Sequence, residues 1–285
     1  MTATARRTAC RAILSGPICV HPGSVHDPIS ARIAEDLGFE LGMFAGSTGS
    51  LAVLGAPDLI VLTLTEFADQ ARRIGRASGL PLVVDADHGY GNALNAMRTV
   101  RELENAGVAA MSIEDTDLPR PFGDGATRLI PLVEGIGKIN AALAAREDSA
   151  TCIFARTGAV GVMGLEEGVL RARAYSETGA DALFLTGVTT RAELDAVTEV
   201  ATIPLVLGTL TAELADRDYL AARGVRIALQ GHQPFQAAVQ AIHATLKALR
   251  DGTAPKSLPN LAPAELMRRV TRQDDYDGWT SRFLG

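Results

Sequence analysis

The sequence contains few cysteines and no long apolar segment, and each absence excludes a class of protein. The 285-residue chain has three cysteines, Cys10, Cys19 and Cys152, which show neither metal-ligand spacing nor the even number of a disulfide framework. A reducing cytoplasm is the simplest setting for them. The N-terminal arginines precede no apolar region of the signal-peptide type, and no stretch is long enough to span a bilayer. We therefore expect a cytoplasmic protein.

A long run of basic residues is also missing. The net charge is −6 at pH 7, which makes nucleic acid and anionic membranes unsuitable partners. The hydrophobic share of 47% is sufficient for one large core, and α/β barrels commonly reach this length as a single domain. The chain has no low-complexity segment and no repeat beyond a strand–helix unit.

Strand-like and helix-like patterns alternate through most of the chain. Parallel neighbouring strands need a crossover between them, so this alternation predicts a parallel sheet. Eight such units in a row predict a closed (β/α)8 barrel of the TIM type. Glycines that follow predicted helices, as in Leu37-Gly38 and Ala106-Gly107, support the count. The predicted strands cover residues 13–20, 41–45, 82–87, 109–115, 151–157, 182–186, 204–207 and 225–229.

The pattern changes after Gly252, where three prolines interrupt residues 253–263. The polar end of the chain contains Tyr276, Trp279 and Phe283, and aromatic side chains in such a setting usually pack onto another surface. We predict a barrel domain over residues 1–252, with its last helix at 234–250. Residues 253–285 are predicted to form a tail that packs on the barrel or on a partner subunit.

Two carboxylates follow the third predicted strand. Asp85 and Asp87 are two positions apart, so both point to the same side of the strand. Burying two unpaired carboxylates side by side is costly. Mg²⁺ relieves this repulsion, because it prefers oxygen ligands and retains several waters. Asn92 can cap the helix that follows. The alternative is that Asp85 and Asp87 are only a strand-end turn and a local cap.

Polar residues also follow other predicted strands, at the end of the barrel where active sites lie. We interpret Asp85 as the direct ligand of Mg²⁺. The predicted partners of metal-bound waters are Asp58, Asp87 and Glu114. The other polar sequences at strand ends are Gly46 to Ser50, Arg156-Thr157 and Gly231-His232.

An anionic substrate has several predicted partners. Gly46, Ser47 and Thr48 can offer backbone N–H groups and a hydroxyl to a carboxylate. Arg156 can bind a carboxylate with two hydrogen bonds or stabilise an oxyanion, and His232 can donate a hydrogen bond or transfer a proton. Simpler alternatives are that Arg156 neutralises a neighbouring carboxylate, that His232 caps the last helix, and that the Gly/Ser segment is an ordinary turn.

Together these motifs resemble the isocitrate lyase and phosphoenolpyruvate mutase superfamily, over roughly residues 10–250. The residues that carry the resemblance are 27–32, 46–47, 85–92, 113–115 and 155–157. Within the superfamily, the sequence is most similar to the oxaloacetate decarboxylase branch, through the run from Asp85 to Asn95 and the Gly231-His232 pair.

The resemblance implies a cofactor, a substrate class and an assembly. The implied cofactor is Mg²⁺, with Mn²⁺ as an alternative ion, bound at Asp85 with outer-sphere help from Asp58, Asp87 and Glu114. A 2-oxo acid would bind with its oxalyl end on the metal near Ser47, and would also touch Arg156 and His232, the predicted catalytic residues. The implied assembly is a homotetramer, a dimer of dimers, in which subunits exchange the last barrel helix.

The loop after the fourth predicted strand limits which reactions of the superfamily this chain can catalyse. Lyases of the superfamily carry a Lys-Cys-Gly-His motif there, whereas residues 118–127 of this chain contain no cysteine. The loop lysine and asparagine of the mutase are also missing. Decarboxylation needs less: an electron sink, which a metal ion and Arg156 can provide for an enolate, and a proton that converts the enolate to the product. We therefore expect a carboxy-lyase that converts oxaloacetate to pyruvate.

Two differences from the close family leave other reactions open. The family has Tyr-Gly-Asn after the seventh strand, where this chain has Gly208-Thr209-Leu210, and often a polar residue where this chain has Gly158. One alternative is another lyase of the superfamily, or a phosphonopyruvate hydrolase, acting on a different 2-oxo acid. Another is a catalytically silent barrel that binds a 2-oxo acid.

Overall fold

The computed structural model describes residues 1–123 and 125–285, so Asp124 of the predicted 118–127 loop lies outside the described residues. The chain forms two compact units, Met1–Gly231 and His232–Gly285. The helix that we predicted as the last of the barrel belongs to the second unit, together with the C-terminal segment. The assignment of residues 1–252 and 253–285 to a barrel and a tail stays a prediction.

The first unit contains one sheet of eight parallel strands in sequence order, as the alternation predicted. The strands are β1 Gly23–Ser24, β2 Gly42–Phe44, β3 Leu82–Asp85, β4 Ala110–Glu114, β5 Cys152–Thr157, β6 Ala182–Leu185, β7 Leu205–Leu207 and β8 Val225–Ala228. Val20, just before β1, pairs with Ile227 of β8. Its N–H donates to Arg226 O at 2.9 Å, and its carbonyl accepts from Ala228 N at 3.0 Å. The prediction of a TIM-type barrel is therefore confirmed.

Helices connect the strands. Those of the first unit are α1 Ala3–Ser15, α2 Pro28–Asp36, α3 Gly46–Gly49, α4 Leu64–Ala77, α5 Ala93–Asn105, α6 Leu132–Ala145, α7 Ala159–Met163, α8 Leu165–Ser176, α9 Arg191–Thr198 and α10 Arg217–Ala222. Asn92 caps α5 as predicted, because its side chain accepts from the N–H groups of Leu94 and Asn95. The cap of α4 is Thr63, which forms a capping box with Glu66.

The predicted first strand at 13–20 is wrong. Residues up to Ser15 belong to α1, whose buried residues Arg7, Cys10 and Leu14 have helical spacing. The apolar and β-branched residues near the end of α1 favoured a strand only because a short apolar run fits either structure. Strand pairing begins later, at Val20 and β1.

The strand pattern sends alternate side chains into the barrel. Val83, Ala110, Cys152 and Phe154 belong to the core cluster that fills the barrel interior. The next inward-facing residues along β3, β4 and β5 are polar, and they lie at the carboxyl ends of these strands. The fold therefore places Asp85, Ser112, Glu114 and Arg156 at the mouth of the barrel.

The second unit contains three α-helices, α11 Gln233–Arg250, α12 Ala264–Thr271 and α13 Gln273–Phe283, and a 3-10 helix at Pro255–Ser257. Arg268 of α12 forms ion pairs with Asp274 and, at 2.7 Å, with Asp277 of α13. The rings of Tyr276 and Trp279 pack edge to face, 5.1 Å apart. Among the described residues, no helix has the length and apolar character needed to cross a membrane.

Candidate active site

An arginine joins two carboxylates at the mouth of the barrel. One guanidinium nitrogen of Arg156 forms an ion pair with Asp85, and the other lies 3.4 Å from Oε2 of Glu114. The Ser112 hydroxyl donates to Asp85 at 2.9 Å, and the Thr116 hydroxyl donates to Glu114 at 2.8 Å. Adjacent strands thus fix the three charged side chains in one cluster.

Asp87 approaches this cluster through an unusual backbone conformation. Its φ of 47° lies in the left-handed region, which residues other than glycine rarely adopt. The Asp87 carbonyl accepts a 2.8 Å hydrogen bond from the N–H of Glu114. A Cβ atom at Gly46 would lie 2.5 Å from Oδ1 of Asp87. The Asp87 carboxylate therefore lies directly against the backbone of Gly46.

The cluster carries more negative than positive charge. Burial, followed by the charges of Asp85 and Glu114, raises the pKa of Asp87 well above its ordinary value. Burial also raises the pKa of Glu114. Burial opposes the charge of Arg156, but Asp85 and Glu114 outweigh it and raise the pKa of the guanidinium. Asp58 lies at the exposed rim, where partial desolvation and Asp85 raise its pKa. These shifts describe a site that would gain from a further cation.

These residues surround a cavity of about 250 Å³. Its walls are the strand ends, the segment around Asp58 and the loop that follows β4. The residues that line it are Asp58, Leu59, Ile60, Asp85, Asp87, Glu114, Thr116, Asp117, Leu118, Arg120, Ala126, Thr127 and Arg156. All four predicted metal-site carboxylates and the predicted catalytic Arg156 therefore line one cavity.

The Gly/Ser segment after β2, for which an ordinary turn was the alternative, begins with a short helix. Gly46, Ser47 and Thr48 form most of α3, which begins directly after Ala45 and continues into a π-helical turn at Ser50–Leu54. Gly46 and Thr48 are buried, and Ser47 is partly buried. Glycines are typical of turns, but Gly46 has another role. It lacks the side chain that would collide with the carboxylate of Asp87. The substrate contacts of these three residues stay predictions.

His232 belongs to the second unit, where it precedes α11. Its side chain makes no capping hydrogen bond to that helix, so the simpler alternative of a helix cap is not observed. Its contact with a substrate stays a prediction.

The oxygen donors of the cavity fit a hard cation. Within residues 1–123 and 125–285, no three carboxylate, imidazole or thiolate side chains converge closely enough to hold a metal ion by themselves. Mg²⁺ does not need such a set, because one or two carboxylates and several waters satisfy it. The excess of carboxylates over Arg156 is therefore compatible with one direct ligand and others that bind through water.

Several residues that position the site were not predicted. Asp115 points to the opposite side of β4 from Glu114, and its Oδ2 accepts hydrogen bonds from Arg171 at 2.8 Å and Tyr175 at 2.9 Å. The N–H of Asp115 donates to the carbonyl of Arg156 at 3.3 Å. The side-chain spacing of Arg171 and Tyr175 on one face of α8 was the available signal, but the pattern alone does not reveal which carboxylate they meet.

The two glycines that differ from the close family lie beside one residue. A Cβ at Gly158 would be 3.0 Å from the hydroxyl of Thr186, and a Cβ at Gly208 would be 2.8 Å from its methyl group. The same Cβ at Gly208 would lie 2.9 Å from the ring of Phe184. The Arg156 guanidinium lies over that ring, 5.6 Å from its centroid. Thr186 and Phe184 thus occupy the space that side chains at these positions would need.

Fold and site together define a TIM barrel whose charged groups meet at the mouth where barrels of this architecture carry their active sites. Within that class, residues 15–250 match the phosphoenolpyruvate phosphomutase family, and the chain belongs to this family. A curated relative from Rhodopseudomonas palustris, named oxaloacetate decarboxylase, is 58% identical over 280 residues, which cover 98% of this chain and 97% of the relative.

Solved structures of the same superfamily share the fold. A phosphonopyruvate hydrolase in complex with oxalate and Mg²⁺ is 30% identical with a TM-score of 0.86, and the match covers 100% of both chains. An oxaloacetate acetylhydrolase in complex with the inhibitor 3,3-difluorooxalacetate is 29% identical with a TM-score of 0.85, over 98% of this chain and 97% of the other. The recognition of the superfamily from its motifs is therefore confirmed.

Proposed function

We propose that this enzyme is a Mg²⁺-dependent oxaloacetate decarboxylase that releases pyruvate and CO₂. The observation that carries the proposal is the position of Arg156, held by Asp85 and Glu114 in a cavity rich in carboxylates. The name of the 58% identical relative supports the choice of substrate.

The carboxylates of the cavity would hold the cofactor. Asp85 is the proposed direct ligand, while Asp58, Asp87 and Glu114 would bind metal-coordinated waters. Mn²⁺, which has a similar preference for oxygen donors, is the alternative ion. When bound, the ion polarises the 2-oxo group of the substrate and so makes it a better electron acceptor.

The side chains of the chain itself bind the substrate and stabilise charge. Arg156 would donate hydrogen bonds to the oxygen on which negative charge develops as the carbon–carbon bond breaks. Asp85 and Glu114 restrict the guanidinium to one orientation, so little reorganisation is needed when that charge appears. The proposed contacts of Gly46, Ser47, Thr48 and His232 with the substrate rest on the chemistry of these residues at strand ends, and for Ser47 and His232 also on the sequence resemblance.

We also propose a homotetramer, a dimer of dimers, in which α11 is exchanged between subunits. Helix α11 has no buried residue within the chain. Its apolar residues Val239, Ile242 and Leu246 are each at least half exposed, and such a stripe usually packs against another protein surface. The low cysteine content supports a cytoplasmic location.

The test is the release of pyruvate from oxaloacetate by the purified protein, with Mg²⁺ and then with EDTA. Oxaloacetate also loses CO₂ spontaneously and with free metal, so the Asp85→Ala variant is the essential control. We expect turnover that depends on the metal and disappears in the variant. A wild-type rate equal to that of the variant would exclude oxaloacetate, and phosphonopyruvate would be the next substrate to measure because of the structural similarity to its hydrolase.

A further inference from the structure

The cavity contains a second arginine that the proposed reaction has not used. Arg156 is already paired with Asp85 and Glu114, but Arg120 lines the same cavity from the loop after β4. Nη1 of Arg120 donates to the carbonyl of Gly125 at 3.1 Å. In the described part of the chain, Arg120 forms no ion pair with a carboxylate.

The hydrogen bond to Gly125 gives Arg120 a defined position. It links two residues of the same loop and uses one of the five N–H donors of the guanidinium. The side chain is exposed, so its remaining donors are available to a ligand in the cavity. Thr116 and Thr127 line the cavity from the same loop.

Arg120 lies on a different wall from the proposed metal site. The strand ends contribute Asp85, Glu114 and Arg156, where the oxalyl end of a 2-oxo acid is proposed to bind. The remainder of such a substrate must extend toward the loop, and Arg120 is the cationic side chain that the loop adds to the cavity. The loop also contributes Asp117, whose carboxylate would repel an anion. Arg120 is the group of the loop that can offset the negative charge of Asp117.

We propose that Arg120 binds the remote carboxylate of a 2-oxo dicarboxylate. A guanidinium offers two parallel N–H donors that match a carboxylate, and this pairing distinguishes a carboxylate from a methyl group of similar size. Arg120 would thus make the enzyme select dicarboxylic over monocarboxylic 2-oxo acids. The inference rests on the proposed function for the orientation of the oxalyl end.

The test compares three ligands by calorimetric titration in the presence of Mg²⁺. The ligand 3,3-difluorooxaloacetate has both carboxylates, 2-oxobutanoate has a methyl group in place of the remote one, and oxalate represents only the oxalyl end. In Arg120→Gln, we expect the affinity for the dicarboxylate to fall roughly tenfold or more, because a charge-assisted pair is lost. The affinities for the other two ligands should stay within about twofold of wild type.

Two further variants sharpen the test. Arg120→Lys retains the charge without the planar fork, so it should recover part of the lost affinity. Arg98→Gln removes an arginine that is exposed on α5 and absent from the cavity, and it should bind all three ligands as wild type does. Equal losses for all three ligands, or no loss for the dicarboxylate, would overturn the proposal.

The titration also separates this inference from the proposed function. If the wild type does not turn over oxaloacetate, but Arg120→Gln loses affinity for the dicarboxylate alone, the assigned reaction fails and the role of Arg120 stands. If the wild type turns over oxaloacetate but Arg120→Gln binds every ligand normally, the reaction stands and the role of Arg120 fails. A wild type that binds no 2-oxo dicarboxylate contradicts both.

Discussion

The two ends of the barrel both contain buried or partly buried arginines and carboxylates, but their charges are balanced differently. At the amino-terminal ends of the strands, Arg7 pairs with Asp148 at 2.7 Å, and Arg11 and Arg146 each approach Asp181 at 2.8 Å. At the carboxyl-terminal ends, Arg156 faces several carboxylates in one cavity. At the amino-terminal end each of these charges has an oppositely charged partner, whereas at the carboxyl-terminal end the carboxylates outnumber the arginine that pairs with them.

This difference separates stability from function. Breaking a buried, hydrogen-bonded ion pair is strongly destabilising, because it leaves one charge buried without its partner. Repelling carboxylates reduce stability in the free protein, and a cation or substrate can recover that free energy on binding. We expect substitutions at the amino-terminal end to lower stability and leave activity unchanged. Substitutions at the carboxyl-terminal end should instead lower activity.

The largest effect is expected for Arg156→Gln at the carboxyl-terminal end. The substitution removes the positive charge between Asp85 and Glu114, so turnover should fall roughly a hundredfold or more, the range for losing one donor to a developing oxyanion. The measurement is steady-state pyruvate release with saturating Mg²⁺. Arg98→Gln is the matched control. A loss of less than about tenfold would show that Arg156 only neutralises its neighbours, the alternative that the sequence left open.

At the amino-terminal end, Arg7→Ala should affect stability and leave activity unchanged. Arg7 donates to the carbonyl of Val108 at 3.1 Å, to that of Glu104 at 2.5 Å and to Asp148 at 2.7 Å. Breaking this buried network should lower the free energy of unfolding by about 3 kcal/mol. Urea unfolding measures the loss, and kcat/KM should stay within about twofold of wild type. A large fall in kcat/KM of the folded variant would contradict the separation of the two ends.

The sequence predicted the carboxyl-terminal end better than the amino-terminal end. Strand alternation placed Asp85, Glu114 and Arg156 at one mouth, because inward-facing residues follow from the period of a strand. The amino-terminal network escaped prediction because α1 was not recognised, its last residues being assigned to a strand at 13–20, and because the partners of Arg7 lie about a hundred residues away. Short local patterns carry no information about such distant pairs. The helix that begins at Gly46 was likewise not predicted, and neither was its contact with Asp87, which depends on the tertiary fold.

Asp87→Asn tests whether repulsion among the carboxylates of the cavity lowers the stability of the metal-free protein. Burial and the neighbouring carboxylates raise the pKa of Asp87, so the folded protein binds this proton more tightly than the unfolded chain does. Without metal, the stability of the wild type should therefore fall as pH rises from about 4, the ordinary value, through the raised pKa. The variant lacks this loss, and in EDTA at neutral pH its melting temperature should be higher by roughly 2–4 °C, equivalent to ~1 kcal/mol.

The same variant should respond less to the metal. Mg²⁺ should raise the melting temperature of the wild type more than that of Asp87→Asn, because the variant has lost one proposed partner of a metal-bound water. Asp69→Asn, at a partly exposed position on α4, is the control for removing a carboxylate elsewhere. If Asp87→Asn is less stable than the wild type in EDTA, the charge of Asp87 does not destabilise the metal-free protein.

The smallest effect is expected for Tyr175→Phe, which changes the support of the site without touching the cavity. The Tyr175 hydroxyl donates to Asp115 at 2.9 Å, and Asp115 in turn binds the backbone of Arg156 through its N–H. Arg171 remains bonded to the same carboxylate oxygen, so the loss should be about 1 kcal/mol of unfolding free energy. We expect kcat to fall by a few-fold with KM nearly unchanged, since the substrate contacts remain. An unchanged kcat would mean that Arg171 alone is sufficient to position the end of β4.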